Sequence, residues 1–143
     1  MPGGWHDPTG GSPAEVRPRG HVYDWYVRGV DLLERGSPAA AAQLLEHVLD
    51  VEPASRSVRE ALARAQFDAG RYADAAESFR SNVDANPSDH YAQFGLGLAS
   101  ARLGRTHTAT RHLALAAAMR PDLPHYDEAL RGTRATLGRR DTP

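Results

Sequence analysis

The chain of 143 residues contains no cysteine and no lysine. Without cysteine there can be no disulfide, no thiolate metal site and no thiol nucleophile. The absence fits a reducing compartment. All 17 basic residues are arginine, and 18 acidic residues balance them to a net charge of −1. That balance provides no general attraction for nucleic acid or an anionic membrane. Long apolar runs are also missing. The longest are Ala-rich and far too short to span a bilayer. The N-terminal stretch MPGGWHDPTGGSPAEVRPRG has no apolar segment of the kind a signal peptide needs. These absences predict a soluble, cytoplasmic chain. Its richness in Ala, Arg, Gly and Pro without Lys suggests a bacterium with GC-rich DNA. The length suits one domain.

Catalytic patterns are likewise lacking. His6 and His21 lie near the N-terminus, and His47, His90, His107, His112 and His125 are scattered over different segments. His107 and His112 are five apart, so they do not share a helical face. No HExxH pattern occurs. The histidines therefore read as scattered surface residues. Gly95-Leu96-Gly97-Leu98-Ala99-Ser100 follows no strand and lacks the context of a dinucleotide fingerprint. No GxSxG elbow is present. Arg131, Arg134, Arg139 and Arg140 cluster near the C-terminus. They read as the solvated face of a last helix, near its negative end, rather than as a phosphate-binding patch. No catalytic residue, cofactor or metal is expected, and a nucleic-acid-associated role through these arginines is kept as a distant alternative.

What is present is periodic punctuation. Residues 1–21 hold five glycines and four prolines and have little to bury, which predicts a disordered tail. From Val22 onward, helix formers dominate. Gly36, Gly70 and Gly104 recur every 34 residues, and so do Pro53, Pro87 and Pro121. The frames are 22–55, 56–89 and 90–123, each with two helices. Glycine at the end of the first helix supplies a left-handed turn. Proline after the second stops it. The expected helices are 22–35, 39–51, 56–69, 73–85, 90–103 and 107–119. Ser37, with Pro38 at the first helical position, is expected to cap one helix, and Ser55 and Ser88 two others.

Three residue columns repeat with this period. Gly29, Ala63 and Gly97 are small, and Ala41, Ala75 and Ala109 are small in the second helix. Leu45, Phe79 and Leu113 follow one turn later. Small residues facing each other with a large one beyond suit tight antiparallel helix packing. With Trp25, Leu32, Leu62, Leu96 and the three prolines, these columns resemble the tetratricopeptide repeat family over residues 22–123. Arg28, Gln66 and Ser100 depart from its large apolar positions, and Gly95 adds a second glycine to one helix at a cost of about 1 kcal/mol. Residues 124–138 continue as a one-sided helix through Tyr126, Leu130, Thr133 and Leu137. Arg131 occupies the small-residue column there and would block a further helix, so this one is expected to cap the array. Residues 139–143 form a short tail. The resemblance implies an all-α, right-handed α-solenoid of three helix-turn-helix repeats plus a C-terminal capping helix.

The resemblance also implies function. Members of this family bind extended or helical peptides in a concave groove lined by the first helix of each repeat. Carried over, the groove columns hold Tyr23, Tyr26, Val30 and Leu33 in repeat one. Repeat two contributes Ser57, Glu60, Arg64 and Phe67, and repeat three Tyr91, Phe94, Leu98 and Ala101. A neighbouring column narrows from Val27 to Ala61 to Gly95, which predicts a hollow near Phe94. The expectation is an aromatic groove with a polar waist at Glu60 and Arg64, acting as an adaptor or scaffold for a protein or peptide ligand. The alternative is self-assembly, as a homo-oligomer or with Trp5 of the tail docked in the groove. The family's carboxylate clamp of lysines and asparagines is not expected, because lysine is absent and Val27, Ala61 and Gly95 stand at the asparagine positions.

Overall fold

A computed structural model describes residues 13–141, which form seven helices: α1 (Pro13–Glu34), α2 (Pro38–Val51), α3 (Arg56–Asp68), α4 (Tyr72–Ala85), α5 (His90–Arg102), α6 (Thr106–Met119) and α7 (Pro124–Asp141). The six repeat helices fall within one residue of their expected bounds, except at the start of α1. That helix begins at Pro13 rather than Val22, because Pro13 suits a first turn and Ala14 and Glu15 are good helix formers. The last helix likewise continues three residues past Gly138. Residues 1–12, including Trp5, lie outside the described residues.

Each helix pair is closed by the same turn. Gly36, Gly70 and Gly104 have φ of 84°, 81° and 77°. The N–H of the following residue reaches back to the carbonyl five residues earlier, as in Ser37 to Leu32 at 2.8 Å, Arg71 to Gln66 at 2.8 Å and Arg105 to Ser100 at 2.9 Å. This αL closure satisfies carbonyls the helix would leave bare. Capping of the next helix differs from expectation. Ser37 stands at the N-cap of α2 without a side-chain bond, and Pro38 alone shapes that start. Ser55 does cap α3, accepting from the Val58 N–H at 3.2 Å. On α5 the cap is Asp89, one residue after Ser88, accepting from Ala92 N at 3.0 Å.

Successive helices pack antiparallel, and α1 also touches α3, α3 touches α5, and α5 touches α7. The even-numbered helices do not approach one another to that extent, so the odd-numbered ones line the inside of the curve. The glycine columns explain the tight pairs. A Cβ on Gly29 would stand 2.7 Å from Leu45, and one on Gly97 would stand 2.7 Å from Leu113. The large residue thus fills the glycine's own vacancy, rather than space one turn beyond it. Leu45 and Leu113 are fully buried as a result. Gln66 fits the core because its Oε1 accepts from Ser78 Oγ at 2.7 Å. Buried Asn82 ties α4 to α3 by accepting from Arg59 and donating to the Arg56 carbonyl. Tyr126 and Leu130 bury the inner stripe of α7, while Arg131 is exposed and pairs with Asp127 at 3.2 Å.

Candidate functional site

The inner face is built by one column from each odd-numbered helix. On α1, Tyr23 is 38% exposed and Tyr26 is half-buried. Val30 and Leu33 are not groove residues. They are 1% and 6% exposed and belong to the core formed with Leu45, Ala61, Leu62 and Ala65. Apolar side chains at helical spacing are drawn to the nearest dry surface, and α2 and α3 supply it. On α3, Ser57 is exposed while Glu60, Arg64 and Phe67 are half-buried; on α5, Tyr91, Phe94, Leu98 and Ala101 are half-buried.

The hollow expected near Phe94 is present. A depression of about 170 Å³ lies between α3 and α5, walled by Arg64, Phe67, Asp68, Tyr91, Phe94 and Leu98. Its floor is Gly95 together with Phe79 of α4. A Cβ at Gly95 would collide with the Phe79 ring, which rests where a side chain would otherwise sit. The second glycine of this helix therefore has a packing reason, and Phe79 in turn meets Tyr91 edge-on at 6.0 Å. Phe79 and Asp68 were missed as wall residues. Asp68 lies one turn after Arg64, so helical spacing could have found it. Phe79 comes from a helix of the other set, and only the missing Cβ of Gly95 lets it through.

The electrostatics follow from partial burial. Burial pushes the Glu60 carboxyl above its usual range, Asp89 adds to this, and Arg64 and Arg56 oppose it. Burial also raises Tyr26, with Glu60 adding to it, and pushes Tyr91 up to about 12 despite the nearby Arg64. Both phenols are neutral near pH 7. Among the described residues, neither Glu60 nor Arg64 makes a hydrogen bond or a close ion pair. Phe67 is held on one side by Arg102, whose guanidinium stands 5.2 Å from its centroid and donates to Tyr72 Oη at 2.9 Å.

Phe94 has a second role that its column did not reveal. It stacks on Tyr126 of α7, with centroids 4.3 Å apart, and meets His125 edge-on at 5.4 Å. Tyr126 is held by His90 Nδ1 at 2.8 Å, and Arg120 reaches His90 Nε2 at 3.2 Å while pairing with Asp122 at 2.7 Å. A guanidinium only donates, so Nε2 accepts and the proton of neutral His90 sits on Nδ1, donated to Tyr126. The last helix thus fixes one wall of the depression as well as capping the array.

Two histidines depart from the scattered surface pattern. His90 is half-buried in the network just described, and His112 is buried with Nδ1 2.7 Å from Gln93 Oε1. The Gln93 amide nitrogen is committed to the Pro87 carbonyl, so Nδ1 is the donor in that bond. Among the described residues, no three His, Asp or Glu side chains group as a metal site, and no helix is long and apolar enough to cross a membrane. Arg131 and Arg134 are exposed, and Arg139 bonds Thr136 on its own helix.

Comparison with known proteins agrees with this geometry. A family model described as "Tetratricopeptide repeat" matches residues 26–90 and again 61–124. No curated protein matches the chain in sequence. Among solved structures, MamA (residues 41 to end) from Desulfovibrio magneticus RS-1 superposes with a TM-score of 0.76 at 20% identity, over 80% of this chain and 64% of that one. The first tetratricopeptide domain of Spaghetti (RPAP3), bound to the HSP90 peptide SRMEEVD, gives 0.76 at 19% identity, over 82% and 93%. The Sgt2 domain from Aspergillus fumigatus gives 0.75 at 18% identity, over 82% and 80%. The chain spans about two thirds of the MamA chains it matches. Two overlapping family matches across most of the chain, on helices closed by three equivalent αL glycines, show that it belongs to the tetratricopeptide repeat family.

Proposed function

We propose that this chain is a protein-interaction module, an adaptor or scaffold that holds a partner's peptide or amphipathic helix on the face formed by α1, α3 and α5. The observation that carries the reading is the aromatic depression at Gly95, walled in part by half-buried Arg64, with half-buried Glu60 one turn away on α3 and neither charge hydrogen-bonded among the described residues. Such a surface offers ring area for burial and charges for orientation, and no group on it is arranged for bond-breaking. The solved relative with an HSP90 peptide supports the mode of binding. The absence of lysine argues for a different ligand chemistry here. A cytoplasmic setting fits the absence of cysteine.

The test is affinity capture from the native host with the intact chain and three variants. Tyr23→Ala with Leu98→Ala should remove the captured partner while the folded state persists by circular dichroism. Leu115→Ala, on exposed outer helix α6, should leave it. Loss with Leu115→Ala alone would move the interface to the outer side. Light scattering that shows a stable dimer dissociated by Leu98→Ala would make the partner a second copy of the chain.

A further inference from the structure

Resting on the reading that this face binds a peptide, we infer that the peptide is recognised by its uncharged main chain at Glu60 and Arg64 and by one phenyl- or leucine-sized side chain in the depression over Gly95. Glu60 and Arg64 are one turn apart on α3, both half-buried, and neither bonds to another described residue. A carboxylate only accepts hydrogen bonds and a guanidinium only donates them. A partner side chain of either charge would satisfy one and be repelled by the other. Each residue of an extended peptide carries one donor and one acceptor and turns both to the same side, so its N–H can go to Glu60 and its carbonyl to Arg64. Among the described residues the polar atoms of both side chains still reach solvent, so a ligand binds here by taking the place of water at an acceptor and a donor together.

The neighbouring depression selects size. At about 170 Å³ it is close to a cavity of about 150 Å³ that accepts benzene in another protein. Phe67, Phe79, Tyr91 and Leu98 make its surface apolar, and the two rim charges, Arg64 and Asp68, oppose each other. An uncharged ring or branched aliphatic group fits this lining, and neither a carboxylate nor an ammonium gains from it. Gly95 sets the depth, because any side chain there would take the space that Phe79 occupies.

The experiment titrates the intact chain, labelled with nitrogen-15, with a capped pentapeptide of two glycines, phenylalanine and two glycines. Companion peptides carry alanine instead, or one ester in place of an amide beside the phenylalanine. The phenylalanine peptide should shift the amides of Phe67, Tyr91 and Leu98 saturably, and the alanine peptide should bind at least about tenfold more weakly. One of the esters should weaken binding about tenfold, and that penalty should vanish in Glu60→Ala. Equal binding of the alanine and phenylalanine peptides, or no shift at millimolar peptide, overturns the socket. An ester penalty that survives Glu60→Ala overturns the main-chain recognition. Tighter binding of peptides flanked by aspartate or arginine shows charge recognition instead, and binding that appears only after deletion of residues 1–12 makes the chain's own terminus the occupant. If partner capture depends on Leu98 while none of these peptides discriminates, the interaction face stands and this inference falls. Shifts confined to α2, α4 and α6 remove the face itself.

Discussion

Repeats one and three place equivalent residues in opposite surroundings. Val30 on α1 and Leu98 on α5 occupy the same column, 68 residues apart. Val30 is 1% exposed and closes against α3, whereas Leu98 is half-exposed at the rim of a depression. The nearby column differs in the same sense, with half-buried Val27 in repeat one and Gly95 in repeat three. One repeat has used its apolar column for the core, and the other has left part of it exposed. Periodicity therefore assigns a position to a face, while the neighbouring side-chain volume decides whether that face is filled.

Substitutions can break this comparison. Leu33→Ala, in the buried repeat-one column, should cost about 3 kcal/mol in urea unfolding. A cost below about 1 kcal/mol would return Leu33 to the surface. Gly95→Ala should cost about 2 kcal/mol from overpacking against Phe79 although alanine is the better helix former. Adding Phe79→Leu should recover part of that loss, and additivity of the two changes would sever the proposed contact. Tyr126→Phe should cost about 1 kcal/mol by removing the hydroxyl paired with His90. It should leave the stacked Phe94 in place, with unchanged ring shifts in the NMR spectrum. The smallest effect belongs to Leu98→Ala, within about 0.5 kcal/mol of the native stability, since little of that side chain is committed to the core.

A graded pH effect sharpens the same contrast between filled and open positions. Burial lowers the His112 pKa below its ordinary 6.5, with Arg111 and Arg80 adding to the effect. Above pH 6.5 the folded and unfolded states both hold a neutral ring, and full stability is present. As pH falls below 6.5 the unfolded chain takes the proton first, so stability declines until the lower folded value is passed. His112→Asn keeps a donor toward Gln93 and should flatten the decline in melting temperature between pH 7 and 5. An unchanged slope would assign the decline to other groups.

The architecture was legible in the residues because repeats declare themselves through spacing. Gly36, Gly70 and Gly104 need left-handed backbone, which no neighbour can supply for them, and each first helix of a repeat ends two residues before its mark. The place of the hollow at Gly95 was legible from the narrowing column, although the Phe79 ring takes the space of the missing side chain and floors it. Much of the rest was not. Val30 and Leu33 looked the same as Leu98 in pattern, yet burial depends on which residues of α2 and α3 meet them. The cap at Asp89 rather than Ser88 turned on a shift of one residue. His90, Tyr126 and Arg120 are separated by up to 36 positions, and nothing local links them.

The sequence by itself determined the repeat number and the helix boundaries inside the repeats, apart from the start of α1, because turn geometry and helical period act over a few residues. It also excluded thiol chemistry and lysine clamps by composition. Only the tertiary structure decided which apolar residues became core, that Phe79 would reach through Gly95 to floor a depression, and that α7 would hold Phe94 through Tyr126. Those outcomes depend on volumes and distances between helices far apart in the chain, where packing density leaves room for one arrangement and no local signal encodes it.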